Sequence, residues 1–498
     1  MRHLVILTIA VLSFSNAALA AYANPQKICV KELPKEIAKI VESPRYQRSR
    51  IGIFVQTKQP KPQVLVNLDG DRLFITASNT KLFTTAIAMQ LLGKDYRFVT
   101  TFNSSSLPND QGVLQNGLWV SVSGDPSFSS DNLQSLVKQL KDKGIKRIEQ
   151  GIWTTTSRQG AELSGSWEWQ DLQEYYAASA SPFTINGNAL DWTISSTKVG
   201  EAVKFSWDNP RLARGWTVEN QAITTASENE YTLQVTRPYG QRKLIITGYM
   251  PVSASPELGS VAIPHPESNF LKLLRDELAK QNIEFVENSA TKSYRPSFPQ
   301  DNYILASFES EPLWKLLIAT NKYSNNLYAE LLLRAMGDRH RMLKTLNAHR
   351  TKELNSDSLN SGLEAEKIFL QSHDIAEDMV FLADGSGLSR LNMATPQAIV
   401  QLLQIFAGDT FFRQSLPIGG VDGTLQRRFQ NLNGSGGVLQ AKTGTLTGAM
   451  ALSGYASSPD YPEVIFSIIV NNNHVPKQSV QKDIDDIASM FTKLRECS

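Results

Sequence analysis

TASNTKLFTTAIAMQLL, residues 76–92, is the stretch from which the rest of the chain can be interpreted. After Lys81 it is apolar on nearly every face, a pattern typical of a helix that runs through a core. Ser78 and Lys81 are three residues apart, so on such a helix their side chains are neighbours on one face. A helix N-terminus favours negative charge developing on Ser78, and burial lowers the pKa of a lysine. The stretch therefore predicts a buried helix whose first turn carries a serine nucleophile, with Lys81 as its base.

The Ser-x-x-Lys pattern alone does not identify a nucleophile. It occurs five times, starting at Ser78, Ser135, Ser195, Ser289 and Ser479. Only the occurrence at Ser78 opens a long apolar helical stretch, and the pattern is otherwise expected of surface helices. Ser78 is therefore the candidate, and its identification depends on partners elsewhere in the chain.

Length and composition allow large cores and indicate the cellular setting. The chain has 498 residues, of which 41% are hydrophobic and 20% charged, so we expect two or three domains. Residues 1–20 have the pattern of a secretory signal, with a basic start at Arg2, an apolar segment and small residues at the cleavage site. Removing Arg2 with this segment lowers the formal net charge from +2 to +1, which gives no support for nucleic-acid binding. We expect an exported (periplasmic or extracytoplasmic) protein without a transmembrane anchor after signal cleavage.

The two cysteines, Cys29 and Cys497, lie at opposite ends of the expected mature chain. In an oxidising compartment they could form one disulfide that joins the termini. Two unpaired thiols are the alternative, and the sequence does not decide between the two.

The order of predicted elements indicates one domain interrupted by an insertion. Strand-like runs at residues 51–55 and 64–67 predict an antiparallel pair that leads into the Ser78 helix. Short strand-like runs separated by Gly, Pro and Asn turns then predict a mostly β insertion of one or two subdomains. Helical patterns dominate afterwards, and two strands and a final helix close the fold. We assign residues 1–20 to the signal peptide, 21–94 and 266–498 to a discontinuous main domain, and 95–265 to the insertion.

Two later stretches supply polar residues that complete a site with Ser78. Ser324-Asn325-Asn326 lies between two predicted helices, where a tight connection can project short polar side chains into a cleft. Lys442-Thr443-Gly444 occurs once, at the start of a predicted strand, and its glycine allows another backbone to approach closely. The order Ser-x-x-Lys, Ser-x-Asn, Lys-Thr-Gly is that of the penicillin-recognising serine acyltransferases.

With these motifs, the chain resembles the class C low-molecular-mass penicillin-binding proteins, which are D-alanyl-D-alanine carboxypeptidases and endopeptidases. The long gap between Lys81 and Ser324 is similar to that family, whose insertion lies between these motifs. The resemblance implies an α/β (α+β) fold with a penicillin-binding transpeptidase or β-lactamase-like domain, in which helices flank an antiparallel sheet. It covers nearly the whole mature chain and rests on five blocks: residues 77–84, 321–330, 384–390, 421–425 and 442–445.

The resemblance also implies catalytic roles. Ser78 would attack the carbonyl of the penultimate D-alanine of the substrate, and Lys81 would take its proton. Ser324 would relay a proton to the departing D-alanine, while Asn326 would hold the substrate amide. Water would then hydrolyse the acyl-enzyme.

Substrate-binding roles follow for the third motif. Lys442, together with Thr443 and Thr445, would receive the terminal carboxylate of the peptide, and Gly444 belongs to the same motif. The backbone N–H groups of Ser78 and Thr445 would form the oxyanion hole.

Three further correspondences concern a pocket for the free end of a diaminopimelate side chain. The implied counterparts are Asp171 and Tyr176 of the insertion and Arg390 of the main domain. A zwitterionic end group needs a carboxylate, a cation and an apolar wall, which these residues would supply. For Asp171 and Tyr176, an ordinary surface acid and a packed tyrosine are the alternatives.

The sequence predicts neither a cofactor nor a metal. The five histidines that follow the signal show no metal-ligand spacing, and none is needed as a base if Lys81 serves. The expected partners are peptidoglycan peptides that end in D-Ala-D-Ala or are cross-linked, with β-lactams as inhibitors.

Three functions are compatible with this sequence. The first is an exported serine D-Ala-D-Ala carboxypeptidase, endopeptidase or both, acting on peptidoglycan stem peptides through a Ser78 acyl-enzyme and acylated by penicillins. The second is a β-lactamase or esterase-like serine hydrolase that uses the same motifs. The third is a non-catalytic peptidoglycan-binding protein. The presence of Ser78, Lys81, Ser324 and Lys442 together favours an enzyme.

Overall fold

The computed structural model describes residues 27–156, 163–286, 302–348, 357–432 and 437–497. The predicted signal peptide, residues 1–20, lies outside these ranges. Within them, no helix is both long enough and apolar enough to cross a membrane.

A five-stranded antiparallel sheet forms the centre of the main domain. Its strands lie in the order Val438–Leu446, Ala449–Ser458, Tyr461–Asn471, Arg50–Thr57 and Val64–Leu68. Residues on both faces of Ala449–Ser458 and Tyr461–Asn471 are mostly buried, because helices cover both sides of the sheet. The strand pair predicted before the Ser78 helix and the two strands predicted near the C-terminus are confirmed.

Helices create one core on each face of this sheet. Leu33–Val41 and Lys477–Phe491 pack on one face. The helices that share the core on the other face are Thr80–Leu92, Leu313–Lys322, Asn326–Ala348, Ser358–Ser372, Pro396–Ile405 and Thr410–Ser415. Every side chain from Thr80 to Met89 is buried, as expected of a helix that is apolar on nearly every face. The predicted α/β (α+β) class with a helix-flanked antiparallel sheet is confirmed.

A short segment fixes the chain just before Ser78. Phe74–Ile75 pairs with Met393–Ala394 in a small sheet that also contains Val380–Phe381. The N–H of Ile75 donates to Asn471 Oδ1 at 2.7 Å, and Asn471 Nδ2 donates to the carbonyl of Ile75 at 3.1 Å. Because Asn471 ends a central strand of the main sheet, these bonds hold the segment just before Ser78 against that sheet.

The inserted part of the chain contains two separate hydrophobic cores. The first lies between a sheet and the helices Ser130–Asp142 and Pro266–Lys280. The strands of that sheet are, in order, Tyr303–Glu309, Val99–Ser104, Leu118–Val122 and Ile152–Thr155. The second core joins the strands Ala189–Ser195, Lys204–Trp207, Thr217–Asn220, Gln234–Thr236, Lys243–Thr247 and Glu257–Ala262. From these two cores we propose two subdomains within the insertion.

The packing bears on where the insertion ends. Phe270, Leu274 and Leu278 of the helix Pro266–Lys280 are buried in the first insertion core, not in the main domain. The strand Tyr303–Glu309 pairs with Val99–Ser104 in the same subdomain. We therefore propose that the chain returns to the main domain near residue 310, whereas the sequence predicted a return at 266.

Cys29 and Cys497 form a disulfide, the alternative that the sequence left open. Beside it, Ile28–Cys29 pairs in parallel with Leu494–Arg495. The bond therefore joins the two ends of the described chain at the face covered by Leu33–Val41 and Lys477–Phe491.

Replacing Cys29 with serine is expected to lower the free energy of unfolding by about 2–4 kcal/mol, because the cross-link restricts the unfolded chain. Thermal melting under non-reducing conditions measures the loss. Cys497→Ser and the double variant should melt at the same temperature as Cys29→Ser, since each removes one bond. A single variant that melts like the wild type would show that the bond does not form in solution.

Candidate active site

Ser78 lies in a 3₁₀ turn, Ala77–Asn79, directly ahead of the helix Thr80–Leu92. The sequence predicted it on the first turn of the helix itself. Ala77 has a left-handed backbone, with φ of 46°, which prevents the α-helix from extending back through this position. A left-handed non-glycine residue costs about 1–3 kcal/mol, and such strain is concentrated at functional sites.

The structure brings Lys81 into contact with Ser78. Lys81 Nζ lies 3.0 Å from Ser78 Oγ, 2.6 Å from Asn326 Oδ1 and 2.6 Å from the carbonyl oxygen of Ser386. The side chain is fully buried, and burial lowers its pKa to about 7, against the opposing effect of Asp384 and Glu330. A substantial fraction of Lys81 is therefore neutral near pH 7 and able to take the proton of Ser78.

Ser324 and Lys442 form a second pair across the cleft. Lys442 Nζ donates to Ser324 Oγ at 2.8 Å and to the carbonyl of Thr443 at 2.9 Å. Ser324 has φ of 55°, so a left-handed residue connects Leu313–Lys322 to the next helix and directs the serine at the lysine. Burial, with a smaller contribution from Lys81, holds the pKa of Lys442 well below its usual value.

The strand Val438–Leu446 carries the third motif past the nucleophile. It lies at the edge of the main sheet, and Asn79 Nδ2 donates to the carbonyl of Lys442 at 3.1 Å. A Cβ atom on Gly444 would lie 2.8 Å from the carbonyl oxygen of Thr76, so only glycine permits this approach. Thr443 Oγ1 donates to Thr424 Oγ1 at 2.9 Å. Thr445 follows on the same strand, and Met450 lies opposite it on the neighbouring antiparallel strand.

The loop at residues 384–390, one of the five blocks of the resemblance, also supports Lys81. Asp384 accepts the backbone N–H groups of Ser386, Gly387 and Ser389 at 2.6–3.1 Å. Glu330 accepts the N–H of Ser386 at 3.0 Å, and the loop thus presents the Ser386 carbonyl to Lys81. The Asp-Gly-Ser-Gly residues of the sequence predict a turn-rich loop here. No sequence pattern around Glu330 indicated that its carboxylate holds this loop.

Gly387 allows this loop to cross the nucleophile segment. Its φ is 82°, and a Cβ atom there would lie 1.8 Å from the carbonyl oxygen of Ala77. The loop and the left-handed Ala77 therefore fit each other only with glycine at this position.

Of the three residues predicted for an outer pocket, Tyr176 and Asp171 contact each other, whereas Arg390 contacts other residues. Tyr176 OH donates to Asp171 Oδ1 at 2.9 Å, and burial together with Asp171 raises the pKa of Tyr176. The carbonyl of Tyr176 accepts a hydrogen bond from Asn326 Nδ2 at 2.8 Å, which joins this part of the chain to the start of the helix Asn326–Ala348. Arg390 Nη1 donates to the carbonyl of Thr447 at 2.9 Å. Its Nε lies 3.9 Å from Glu168, an acid that the sequence analysis did not select.

Known proteins match the chain over most of its length. The D-Ala-D-Ala carboxypeptidase 3 (S13) family matches residues 33–493. A D-alanyl-D-alanine carboxypeptidase from Actinomadura sp. is 29% identical over 471 residues, which are 92% of this chain and 84% of the relative. The D-alanyl-D-alanine carboxypeptidase DacB of Haemophilus influenzae is 27% identical over 436 residues, 85% of each chain. The crystal structure of penicillin binding protein 4 from Haemophilus influenzae matches with a TM-score of 0.75 and 24% identity, over 91% of this chain and 97% of that one. The chain is therefore an enzyme of the D-Ala-D-Ala carboxypeptidase 3 (S13) family.

Proposed function

We propose that the enzyme is exported and hydrolyses D-Ala-D-Ala bonds of peptidoglycan stem peptides through a covalent intermediate on Ser78. The observation that carries this proposal is the 3.0 Å contact between Ser78 Oγ and the Nζ of Lys81, a buried lysine whose pKa is lowered to about 7. A serine hydroxyl becomes an effective nucleophile only beside such a base.

Acylation begins when Ser78 Oγ attacks the carbonyl carbon of the penultimate D-alanine. Its proton passes to neutral Lys81, and the carbonyl electron pair moves onto oxygen. The N–H groups of Ser78 and Thr445 would stabilise this oxyanion, where one lost donor typically costs about 10²–10³ in rate. Contacts of the Gly444 strand with the Thr76 segment favour this arrangement, because they place the two backbones side by side.

Collapse of the tetrahedral intermediate breaks the bond to the terminal D-alanine. The leaving amine takes the proton of the Ser324 hydroxyl, which lies 2.8 Å from Lys442 Nζ. The proton that Lys81 took from Ser78 replaces it, so that Ser324 is protonated again and Lys81 is neutral again. Water then attacks the acyl-enzyme with Lys81 as base, releasing the shortened peptide and regenerating Ser78.

Penicillins would acylate the same serine. The penicillin binding protein 4 of Haemophilus influenzae has been solved in complex with a β-lactam, and that structure matches this chain with a TM-score of 0.71. In a β-lactam the bond that breaks lies within a ring, so the leaving group stays attached and can exclude the hydrolytic water. We therefore propose slow deacylation, in contrast to a β-lactamase.

The disulfide supports export. Disulfides persist in oxidising compartments such as the bacterial periplasm and are rare in a reducing cytosol. Together with the signal-like pattern of residues 1–20, the Cys29–Cys497 bond supports the proposal that the enzyme acts outside the cytoplasm.

Two defined muropeptides test the reaction, one ending in D-Ala-D-Ala and one cross-linked, with products identified by mass. Release of free D-alanine from the first supports a carboxypeptidase, and separation of the two stems of the second supports an endopeptidase. No change in either substrate, with no acylation by penicillin, would leave a peptidoglycan-binding protein. Rapid turnover of labelled penicillin would instead favour a β-lactamase.

Lys442→Ala is expected to discriminate between substrates with and without a terminal carboxylate. A hydrogen bond to a charged group contributes about 1.5–3 kcal/mol, so kcat/KM for an acyl-D-Ala-D-Ala peptide should fall roughly 10- to 150-fold further than for a neutral ester. Steady-state kinetics on both substrates measure this difference. Equal losses on the two substrates would show that Lys442 acts only through Ser324 and does not bind the carboxylate.

Arg390→Ala is expected to reduce kcat/KM about tenfold for peptides with a free diaminopimelate end, which would lose a charged partner. Peptides with lysine blocked at the side chain should be cleaved as by the wild type. Arg427→Ala, which changes an exposed arginine of the same domain, serves as the control. Unchanged selectivity would exclude Arg390 from the pocket and weaken the roles proposed for Asp171 and Tyr176.

A further inference from the structure

Glu366 is a buried carboxyl group that the proposed mechanism does not use. It lies on the helix Ser358–Ser372 with none of its surface exposed. Among the residues that the structure describes, neither of its carboxyl oxygens has a hydrogen-bond partner. An ionised carboxylate in that situation would be strongly destabilised, because nothing replaces its hydration.

Close helix packing forces Glu366 into this position. The helices Asn326–Ala348 and Ser358–Ser372 approach so closely that a Cβ on Gly337 would lie 1.9 Å from the carbonyl oxygen of Ser358. A Cβ on Gly362 would lie 2.3 Å from the carbonyl oxygen of Leu333. Glu366 follows Gly362 by one helical turn, so it points into the interface rather than to solvent.

The groups that face Glu366 form the support of Lys81. Glu330 and Asp384 are also fully buried, and both repel a negative charge on Glu366. Glu330 is paired with Arg334 at 2.7 Å, and Asp384 is held by the loop amides described above and by Trp167 Nε1 at 2.8 Å. The negative charge of each of these two carboxylates is thus stabilised by its own hydrogen bonds or ion pair. Among the described residues Glu366 has no such partner, so it avoids a negative charge only by keeping its proton.

The remaining neighbours of Glu366 do not supply a positive charge. Thr84 of the nucleophile helix faces it, but the Thr84 hydroxyl donates to the carbonyl of Gly385 at 2.9 Å. On its own helix, Lys367 pairs with Glu377 at the surface, and Glu364 pairs with Lys344.

We propose that Glu366 is a positioning residue that works as a neutral, protonated acid. By keeping its proton it leaves Glu330 and Asp384 undisturbed, and these two hold the loop whose Ser386 carbonyl contacts Lys81. Burial and the two neighbouring carboxylates raise the pKa of Glu366 to about 8, in agreement with this state at neutral pH. Ionisation of Glu366 would add a negative charge behind Lys81, favour the lysine ammonium and so remove the base.

Glu366→Gln tests the protonation state without reference to catalysis. A carboxyl group whose pKa is raised in the folded state stabilises the fold below its unfolded pKa, and this contribution is lost as pH rises towards the folded pKa. The melting temperature of Glu366→Gln relative to the wild type should therefore increase steadily from pH 5 to pH 8 and then level off. Glu377→Gln, which changes an exposed glutamate paired with Lys367, should keep a constant difference over that range. A constant difference for Glu366→Gln as well would overturn the proposal.

The link to Lys81 is tested by the rate of acylation with a β-lactam between pH 6 and 10, and it rests on the proposed role of Lys81 as base. Between about pH 8 and 9 the wild-type rate should fall below that of Glu366→Gln, which should keep its plateau, because only the wild type gains a negative charge there. Glu366→Met, which is neutral and of similar length, should behave like Glu366→Gln if the charge is what matters. If the acylation rates of all three proteins depend on pH in the same way above pH 8, Glu366 contributes only to packing. If none of the proteins is acylated, the proposed function fails, and the positioning role falls with it.

Discussion

Ser78→Ala is expected to abolish both penicillin labelling and D-alanine release, with a loss of about 10⁴-fold or more in acylation rate. The substitution removes the oxygen that lies 3.0 Å from Lys81 Nζ and that would carry the acyl group. The Ser78 side chain is only partly buried, and its removal breaks no contact in the core. The fold should therefore be retained. Labelling with a fluorescent penicillin and release of D-alanine measure the two losses, while circular dichroism checks the fold.

Ser135→Ala is the matched control for that experiment. Ser135 also begins a Ser-x-x-Lys pattern, but it is exposed on the helix Ser130–Asp142 of the insertion. The control should be labelled like the wild type. Persistent labelling of Ser78→Ala would show that another serine is the nucleophile.

Lys81→Met is expected to slow acylation by about 10²–10⁴-fold, the usual contribution of general base catalysis. In the wild type the rate should rise about tenfold per pH unit below pH 7 and level off above it, because the neutral form of Lys81 is the base and its pKa is about 7. Stopped-flow acylation by a chromogenic β-lactam between pH 5 and 8 measures this rise. In Lys81→Met the rise should disappear.

Lys138→Met provides the control, since Lys138 is an exposed lysine on the insertion helix, paired with Asp142 at 2.6 Å. Its pH profile should overlay that of the wild type. If Lys81→Met retains the acid limb with a midpoint near pH 7, then a different group is the base and the assignment of Lys81 is wrong.

Local patterns predicted the parts of the site that depend on short sequence separations. The three-residue spacing of Ser78 and Lys81 on an apolar helix was sufficient to place their side chains together, and alternating apolar strands outlined the main sheet. The apolar helix Thr80–Leu92 lies in the core for the same reason, because a helix without a polar face has to be buried on all sides.

Contacts between residues far apart in the sequence could not be predicted from such local patterns. Glu330 and Asp384 are 54 residues apart in sequence numbering and meet only because a helix and a loop converge on Lys81. Glu168 faces Arg390 from a stretch where the sequence favoured Asp171 instead. The helix Pro266–Lys280 has an apolar stripe that would suit either domain, so its periodicity could not show which core it joins.

The central claim is that Ser78 carries the acyl group. The most direct measurement is mass spectrometry of the wild-type protein after brief exposure to benzylpenicillin, followed by tryptic digestion. Cleavage after Arg72 and Lys81 releases the peptide of residues 73–81, and we predict that this peptide gains the mass of one penicillin, with fragment ions placing it on Ser78. An adduct on any other peptide, or an intact protein of unchanged mass, would contradict the account.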